Sequence, residues 1–136
     1  MMKTEKQQDI ALLMLRLLVG LLIILHGIGN LSSGYAFIGS VMEGAGLPRF
    51  FAFGAFIGEI IAPILIIIGY RARMASLALV FTMFVAIVLA HAGDILALNQ
   101  FGGWAIELQA FYLFTGLSIY FSGAGAYAIS KTNRWD

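Results

Sequence analysis

Four long runs of hydrophobic residues follow one another along the chain, and glycine, serine, proline and charged residues gather in the segments between them. Each run is close to the roughly 20 apolar residues that a helix needs to cross a bilayer core of about 30 Å. The pattern predicts an all-α membrane protein, an antiparallel bundle of four transmembrane helices forming a single domain over residues 1–136. The predicted spans cover residues 10–31, 50–70, 74–92 and 104–122.

A cleaved signal peptide is the alternative explanation of the first run, because Lys3 and Lys6 precede it. The run is longer than the apolar part of a signal peptide, contains Arg16 and lacks a small-x-small cleavage site behind it. We therefore expect it to remain as the first span.

Lysine and arginine residues outside the runs predict the direction of the spans. Six of them fall in segments that an even number of spans places on one side, whereas Arg49 alone falls on the other. Loops rich in these residues stay in the cytoplasm. We therefore predict that both ends of the chain are cytoplasmic. The six are Lys3, Lys6, Arg71, Arg73, Lys131 and Arg134.

The first outer loop, residues 32–49, is long for so small a protein and carries several apolar side chains. We expect it to form a short interfacial helix or a re-entrant cover over the bundle. Whether it is an ordered loop resting on lipid headgroups or a lid over a site stays open. The apolar residues are Tyr35, Phe37, Ile38, Val41 and Met42.

Composition narrows the chemistry that such a bundle can perform. Hydrophobic residues make up 61% of the chain, charged residues 11%, and the mean hydropathy is +0.94, so most of the surface suits lipid. The net charge of +1 provides no basic field, and we expect no nucleic-acid partner. The absence of cysteine excludes thiolate metal sites and thiol redox pairs, so any redox chemistry depends on a bound partner.

Ionisable residues inside the runs are the main indication of a site, because each costs at least about 2.5 kcal/mol in hydrocarbon unless it is paired or hydrated. Four of them reach the outer half of the bundle from four different spans: His26, Glu59, His91 and Glu107. Arg16 approaches from the inner half, where it either pairs with Glu59 or reaches the inner headgroups. We assign catalytic roles to Glu59, His26 and His91, and ligand-binding roles to Arg16, Asn30, Trp104 and Glu107.

Several kinds of site fit this cluster. The histidines suit interhelical hydrogen bonds, and two imidazoles with two carboxylates suit zinc or iron. A di-iron bundle would carry Glu-x-x-His on two helices, however, whereas this chain has only His91-x-x-Asp94. A bis-histidine haem is a further alternative. A pocket with a polar end for a small apolar molecule such as a quinone is the interpretation we favour. Metal ligation would use His26, His91, Glu59 or Glu107.

Short motifs occur in a characteristic order over about residues 10–130: Arg16 with Gly20, His26-Gly27, Gly46-Leu47-Pro48, Glu59, Gly69-Tyr70-Arg71, Gly102-Gly103-Trp104 with Glu107, and Gly123-Ala124-Gly125. This set resembles the DoxX family, which is named after a subunit associated with a terminal quinol oxidase. The resemblance implies a four-helix protein of the bacterial inner membrane that is linked to quinone, thiol or oxidative-stress metabolism.

The chain departs from that family pattern at three places. Asn30 stands where such proteins often carry lysine, and Ile61 and Ala62 replace a glycine pair. Ala126 and Tyr127 follow the last motif in place of a basic residue. The resemblance therefore implies a fold and a topology, and leaves the substrate open.

Two classes of function fit these observations. In the first, the protein binds a quinone or another small lipophile in a polar pocket in the outer half of the bundle. It would act as an accessory subunit or as an oxidoreductase that depends on a membrane or periplasmic redox partner. In the second, it is a non-catalytic bundle that assembles with or stabilises another membrane protein, and its buried ions only fix the helix register. Metal binding and transport are further alternatives, and transport through so few helices would need a homo-oligomer.

Overall fold

The computed structural model of the protein describes residues 3–136. Those residues are almost entirely helical, and the only β-type pairing among them is a single bridge between Leu98 and Trp104. A short 3-10 turn, Ala92–Asp94, follows the fourth helix. The helices are α1 (Thr4–Ser32), α2 (Ala36–Gly44), α3 (Arg49–Ile68), α4 (Ala72–Ala90) and α5 (Glu107–Ser122).

Three of these helices, α1, α3 and α4, are long and apolar enough to cross a membrane. Together with the helical architecture they confirm the prediction of an all-α membrane protein. The fourth apolar run becomes helical only at Glu107, three residues later than the predicted start, and α5 therefore has 16 residues. At 1.5 Å per residue α5 is about 24 Å long. Residues 95–106, directly before α5, form a separate structure of turns and one bridge.

Glycine allows α3 to approach both of its neighbours closely. A Cβ atom at Gly27 of α1 would lie 2.6 Å from the backbone oxygen of Glu59, and one at Gly58 would overlap the side chain of Thr82 in α4. Helices in lipid associate mainly through such close packing, since lipid is as apolar as the side chains. The backbone of α3 around Glu59 is therefore held between α1 and α4.

One end of the bundle, which we call the inner end, is closed by residues 123–136. The backbone amide of Ala126 donates to Asp9 Oδ1 over 2.8 Å, and Arg73 donates its backbone amide to the Trp135 carbonyl over 3.0 Å. Arg71 Nη1 lies 3.1 Å from the carboxylate of Asp136. The start of α1, the turn between α3 and α4, and the segment after α5 thus meet at the inner end.

Asp136 is the centre of this closure. Burial raises the pKa of its carboxyl, but hydrogen bonds from the Ser130 hydroxyl and the Asn133 amide, together with the charge of Arg71, more than offset that effect. The pKa of Asp136 is consequently lowered from its ordinary value. The ionised carboxylate holds the segment against the turn that follows α3.

Fully buried apolar side chains fill the bundle between the inner end and its middle. Val19, Ile66, Leu79 and Ile119 come from α1, α3, α4 and α5 and are at most 1% exposed. The opposite end, which carries α2 and which we call the outer end, is packed less densely around a cavity. The inner half of the bundle is therefore closely packed, whereas the outer half contains a cavity.

Candidate functional site

A cavity of about 660 Å³ lies in the outer half of the protein. All five helices contribute to its wall, and most of the lining side chains are apolar. Phe37, Ile38, Val41 and Met42 of α2 belong to that wall. The loop of residues 32–49 thus contains a helix that forms part of the cavity boundary.

Glu59 provides the polar group on the α3 side of the cavity. Its side chain is almost completely buried, and its Oε2 atom accepts a hydrogen bond of 2.8 Å from Asn30 Nδ2 of α1. The second carboxylate oxygen lies 4.0 Å from Nε2 of His26, whose side chain is 55% exposed. Three of the predicted site residues therefore meet at one point of the wall.

The backbone around Glu59 is irregular. Residues Ile57–Ile61 form a π-helical turn, and Pro63 follows two residues later. Proline has no backbone N–H, so the carbonyl of Glu59, four residues earlier, has no α-helical donor. Single π-helical turns inside α-helices are frequent at functional sites, where they redirect a side chain. Here the turn coincides with the buried carboxylate.

His91, directly after the end of α4, provides a second polar group of the cavity wall. Its Nδ1 atom lies 3.0 Å from Asp94 Oδ2, and its Nε2 atom lies 3.1 Å from the amide nitrogen of Gln109 in α5. Because an amide nitrogen donates, Nε2 of His91 accepts and Nδ1 carries the proton that is donated to Asp94. His91 is thus held as the tautomer whose Nε2 lone pair is directed toward α5.

Arg16 lies outside the cavity and is bonded to backbone oxygens. Its guanidinium is buried and donates to carbonyls at the end of α3 and in the segment after α5, with Nε and Nη2 bonds of 2.8 Å to the α3 carbonyls. A helix C-terminus carries partial negative charge, which favours a cation there. These backbone acceptors therefore explain the burial of Arg16 without either of its two expected partners, Glu59 or a lipid headgroup. The acceptors are Ile66, Ile67, Ala124 and Tyr127.

Trp104 and Glu107 also lie outside the cavity wall. Trp104 Nε1 donates to the carbonyl of Ile95 over 2.7 Å, and Glu107 Oε1 accepts from the side-chain amide of Asn99 over 3.2 Å. Both residues hold the connection between α4 and α5 together. Of the seven residues assigned from the sequence, the cavity gathers four: His26, Asn30, Glu59 and His91.

Tyr35 is a residue near the site to which sequence reasoning gave no chemical role. Its side chain is 2% exposed, and its hydroxyl has no hydrogen-bond partner among residues 3–136. Burial raises the pKa of this hydroxyl, and the negative charge of Glu59 raises it further. Tyr35 also adopts a left-handed backbone conformation, with φ of 57°, just before α2. The one sequence signal is its position after Gly34, at a turn that the chain must make.

Metal ligation has no support in the described part of the chain. Within residues 3–136, no three histidine or acidic side chains come close enough together to hold an ion. The two histidines belong to separate polar groups, one with Glu59 and one with Asp94. The arrangement is therefore that of an apolar cavity with two hydrogen-bonding clusters.

Comparison with known proteins gives one match. The model of the DoxX family matches residues 11–92, which include all four site residues that line the cavity. Asp94 and Gln109, the two partners of His91, fall outside the matched segment. Neither the curated proteins nor the solved structures contain a match to the chain.

Proposed function

The chain belongs to the DoxX family of membrane proteins, and we propose that it binds a quinone or another small lipophile in the outer cavity. It does so either as an accessory subunit or as an oxidoreductase that takes electrons from a membrane or periplasmic partner. The cavity carries the proposal. Its volume of about 660 Å³ suits a small molecule, and its apolar walls with a few polar groups are typical of ligand pockets.

The proposed topology has four spans in the bacterial inner membrane, with α5 as the last span and α2 as an interfacial helix. The inner end gathers the segments that carry six of the eight basic residues, which supports its assignment to the cytoplasm. The cavity then opens toward the outer leaflet and the periplasm. This direction places His91 and Glu59 on the side where a periplasmic partner would bind.

The two polar clusters contain the kinds of hydrogen-bonding group that suit a quinone. Its carbonyl oxygens accept hydrogen bonds, and the amide groups of Asn30 and Gln109 are donors on two sides of the same cavity. Reduction to the hydroquinone consumes electrons and protons in equal number, and Glu59, His26 and His91 are the groups that would exchange the protons. The electrons come from the partner, because a chain without cysteine contains no thiol pair to supply them.

His91 and Asp94 form a connection between the cavity and the exterior. His91 lines the cavity, and the carboxylate that holds its Nδ1 proton has a side chain that is 49% exposed. We assign Asp94 the role of positioning His91 for proton exchange with water.

The direct test is the identity of the molecules that co-purify with the protein. Lipophiles extracted from the purified protein and identified by mass spectrometry should include one species at a stoichiometric amount. Replacement of Ala86 in the cavity wall by phenylalanine should displace it. The matched control is Ala11→Phe, at an exposed position of α1 away from the cavity.

Loss of the bound species from Ala86→Phe alone supports the cavity as the binding site. Equal amounts in both variants would contradict it. If the wild-type protein carries only the lipids of its surroundings, the non-catalytic bundle becomes the better explanation. That alternative is favoured by one observation, the use of the Arg16 charge for backbone contacts that fix α3 and the segment after α5.

A further inference from the structure

Residues 95–106, which we call the hairpin, connect the turn after α4 to the start of α5. We propose that the hairpin lies in the membrane interface at the outer end of the bundle. Its three most exposed apolar side chains, those of Leu96, Leu98 and Phe101, which we together call its tip, then contact the acyl chains of the adjacent leaflet. The partner of this surface is lipid, and the inference rests on the proposed four-span topology but not on what the cavity binds.

The length of α5 is the first observation. Its 16 residues extend about 24 Å, whereas the hydrocarbon core is about 30 Å thick. The other long helices have 29, 20 and 19 residues and extend about 28 Å or more, so α5, as the proposed last span, falls furthest short of the core. The hairpin, which immediately precedes α5, is therefore expected at the boundary between the headgroups and the hydrocarbon core and not out in water.

The composition of the hairpin is the second observation. Its twelve residues, ILALNQFGGWAI, include no charged side chain. Leu96 is 98% exposed, Phe101 86% and Leu98 71%, which are among the highest exposures of apolar side chains in the protein. Large apolar side chains at a tip in water would be unfavourable, whereas at the level of the upper acyl chains they gain about 25 cal/mol per Å² of buried surface.

The internal hydrogen bonds of the hairpin are the third observation. Backbone bonds join Asn99 to Gly103 over 2.7 Å and Ala105 to Ala97 over 3.0 Å. The side-chain oxygen of Asn99 accepts from the amides of Phe101 and Gly103. Lipid-exposed non-helical backbone does not occur within the hydrocarbon core. The hairpin provides partners for five of its own backbone amides, those of Asn99, Phe101, Gly102, Gly103 and Ala105, and a position in the interface leaves the others within reach of water and headgroups.

The charged residues beside the hairpin are also paired. Asp94 binds His91 on one side, and Glu107 accepts from Asn99 on the other. Glu107 lies in the first turn of α5, where the helix N-terminus favours a negative charge. Trp104 donates to a backbone carbonyl within the hairpin, and its ring is amphipathic, as is typical of residues at the headgroup level.

Spin labelling tests the proposal without prior removal of cysteines, since the chain has none. Single variants Leu96→Cys and Phe101→Cys are labelled and reconstituted in vesicles of phosphatidylcholine and phosphatidylglycerol. Collisions with oxygen, which concentrates in lipid, are compared with collisions with a water-soluble nickel chelate. Glu43→Cys is the matched control, because Glu43 carries an exposed charge at the same end of the bundle.

We expect an oxygen-to-nickel ratio several-fold higher at positions 96 and 101 than at position 43. Nickel collisions as frequent at the tip as at position 43 would place the hairpin in water and overturn the proposal. Immobile labels that are shielded from both reagents would also overturn it, because a second copy or another protein would then cover the tip. Leu96 has almost no contacts to lose, so the first variant should fold as the wild type does.

Discussion

Asn30 Nδ2 lies 2.8 Å from Oε2 of Glu59 and thereby joins the outer part of α1 to the π-helical turn of α3. The nearest cationic candidate on the same carboxylate is His26, at 4.0 Å, and Arg16 is engaged by carbonyls at the other end of α3. The carboxylate of Glu59 is therefore held by an amide beside a histidine, and Arg16 is not its partner.

Glu59→Gln should therefore leave a folded protein that has lost its bound lipophile. The glutamine keeps an oxygen that accepts from Asn30, and the change strands no arginine, because Arg16 has its own partners. Thermal unfolding in detergent and mass spectrometry of the ligand measure the two properties. Glu107→Gln, outside the cavity wall, is the control. A Glu59→Gln protein that keeps its ligand and melts at a lower temperature would reduce Glu59 to a structural role.

Two glycines of α1 that are two residues apart, Gly27 and Gly29, should respond differently to alanine. A methyl group at position 27 meets the backbone oxygen of Glu59 at 2.6 Å, and one at position 29 meets no atom within 4 Å. We expect Gly27→Ala to cost about 1–3 kcal/mol of stability and to weaken ligand binding by displacing the π-helical turn. Gly29→Ala should be neutral or slightly stabilising, because alanine favours the helix. Equal melting temperatures for the two variants would mean that this contact does not constrain α3.

Arg16→Gln should destabilise the protein by at least about 3 kcal/mol, because hydrogen bonds from a charged donor contribute about 1.5–3 kcal/mol each. Unfolding in a denaturing detergent measures the effect, and Arg134→Gln, at an exposed position, is the control. The double variant with Glu59→Gln should show additive changes, since the two side chains are not partners. Recovery of stability in the double variant would instead reveal an Arg16–Glu59 pair.

Asp136 should make stability depend on acid pH. Its pKa is lowered in the folded protein, so its contribution is fully present above its usual pKa of about 4 and is lost as the pH falls through the lowered value. Asp136→Asn should be less stable than the wild type at pH 7, and the difference should shrink on acidification. Melting curves across this range provide the measurement, with Glu5→Gln at an exposed position as control. A difference that is independent of pH would exclude the ionised carboxylate as its cause.

The proposed orientation predicts which positions an impermeant thiol reagent reaches. Cysteines at Ser33 and Gly44 should react from the periplasmic side of intact cells, whereas one at Thr132 should react only after the membrane is opened. Thr132 is preferred to Ser130, because the hydroxyl of Ser130 is bonded to Asp136. The opposite labelling pattern would invert the topology and put the cavity on the cytoplasmic side.

The sequence alone indicated the helices and the polar residues of the cavity. Glu59, His26 and His91 stand out because ionisable side chains are rare in runs this apolar. The partners of Arg16 could not be predicted, since they lie 50 to 111 positions away and are backbone atoms that carry no sequence signal. Pro63 frees the carbonyl of Glu59, but the π-helical form of the turn also depends on how closely Gly27 and Gly58 approach the neighbouring helices.

The start of α5, which corresponds to the fourth predicted span, shows a second feature that hydropathy could not predict. Hydropathy does not distinguish a helix from an apolar hairpin, so Trp104 was placed within the predicted fourth span. Asn99 decides the local structure, because its side chain binds the amides of Phe101 and Gly103 and its own amide binds Gly103. Such side-chain bonds to nearby backbone compete with helix formation. The helix therefore begins at Glu107, after these bonds end.

The bundle is closed at its inner end and contains the cavity at its outer end. Within residues 3–136, Val19, Leu79 and Ile119 fill the space beneath the cavity, and Arg16 with the segment after α5 closes the inner end. If the cavity is the redox site that we propose, the protons exchanged there come from and return to the same side of the membrane. Turnover at that site would then move no proton across the bilayer and would leave the membrane potential unchanged by proton movement.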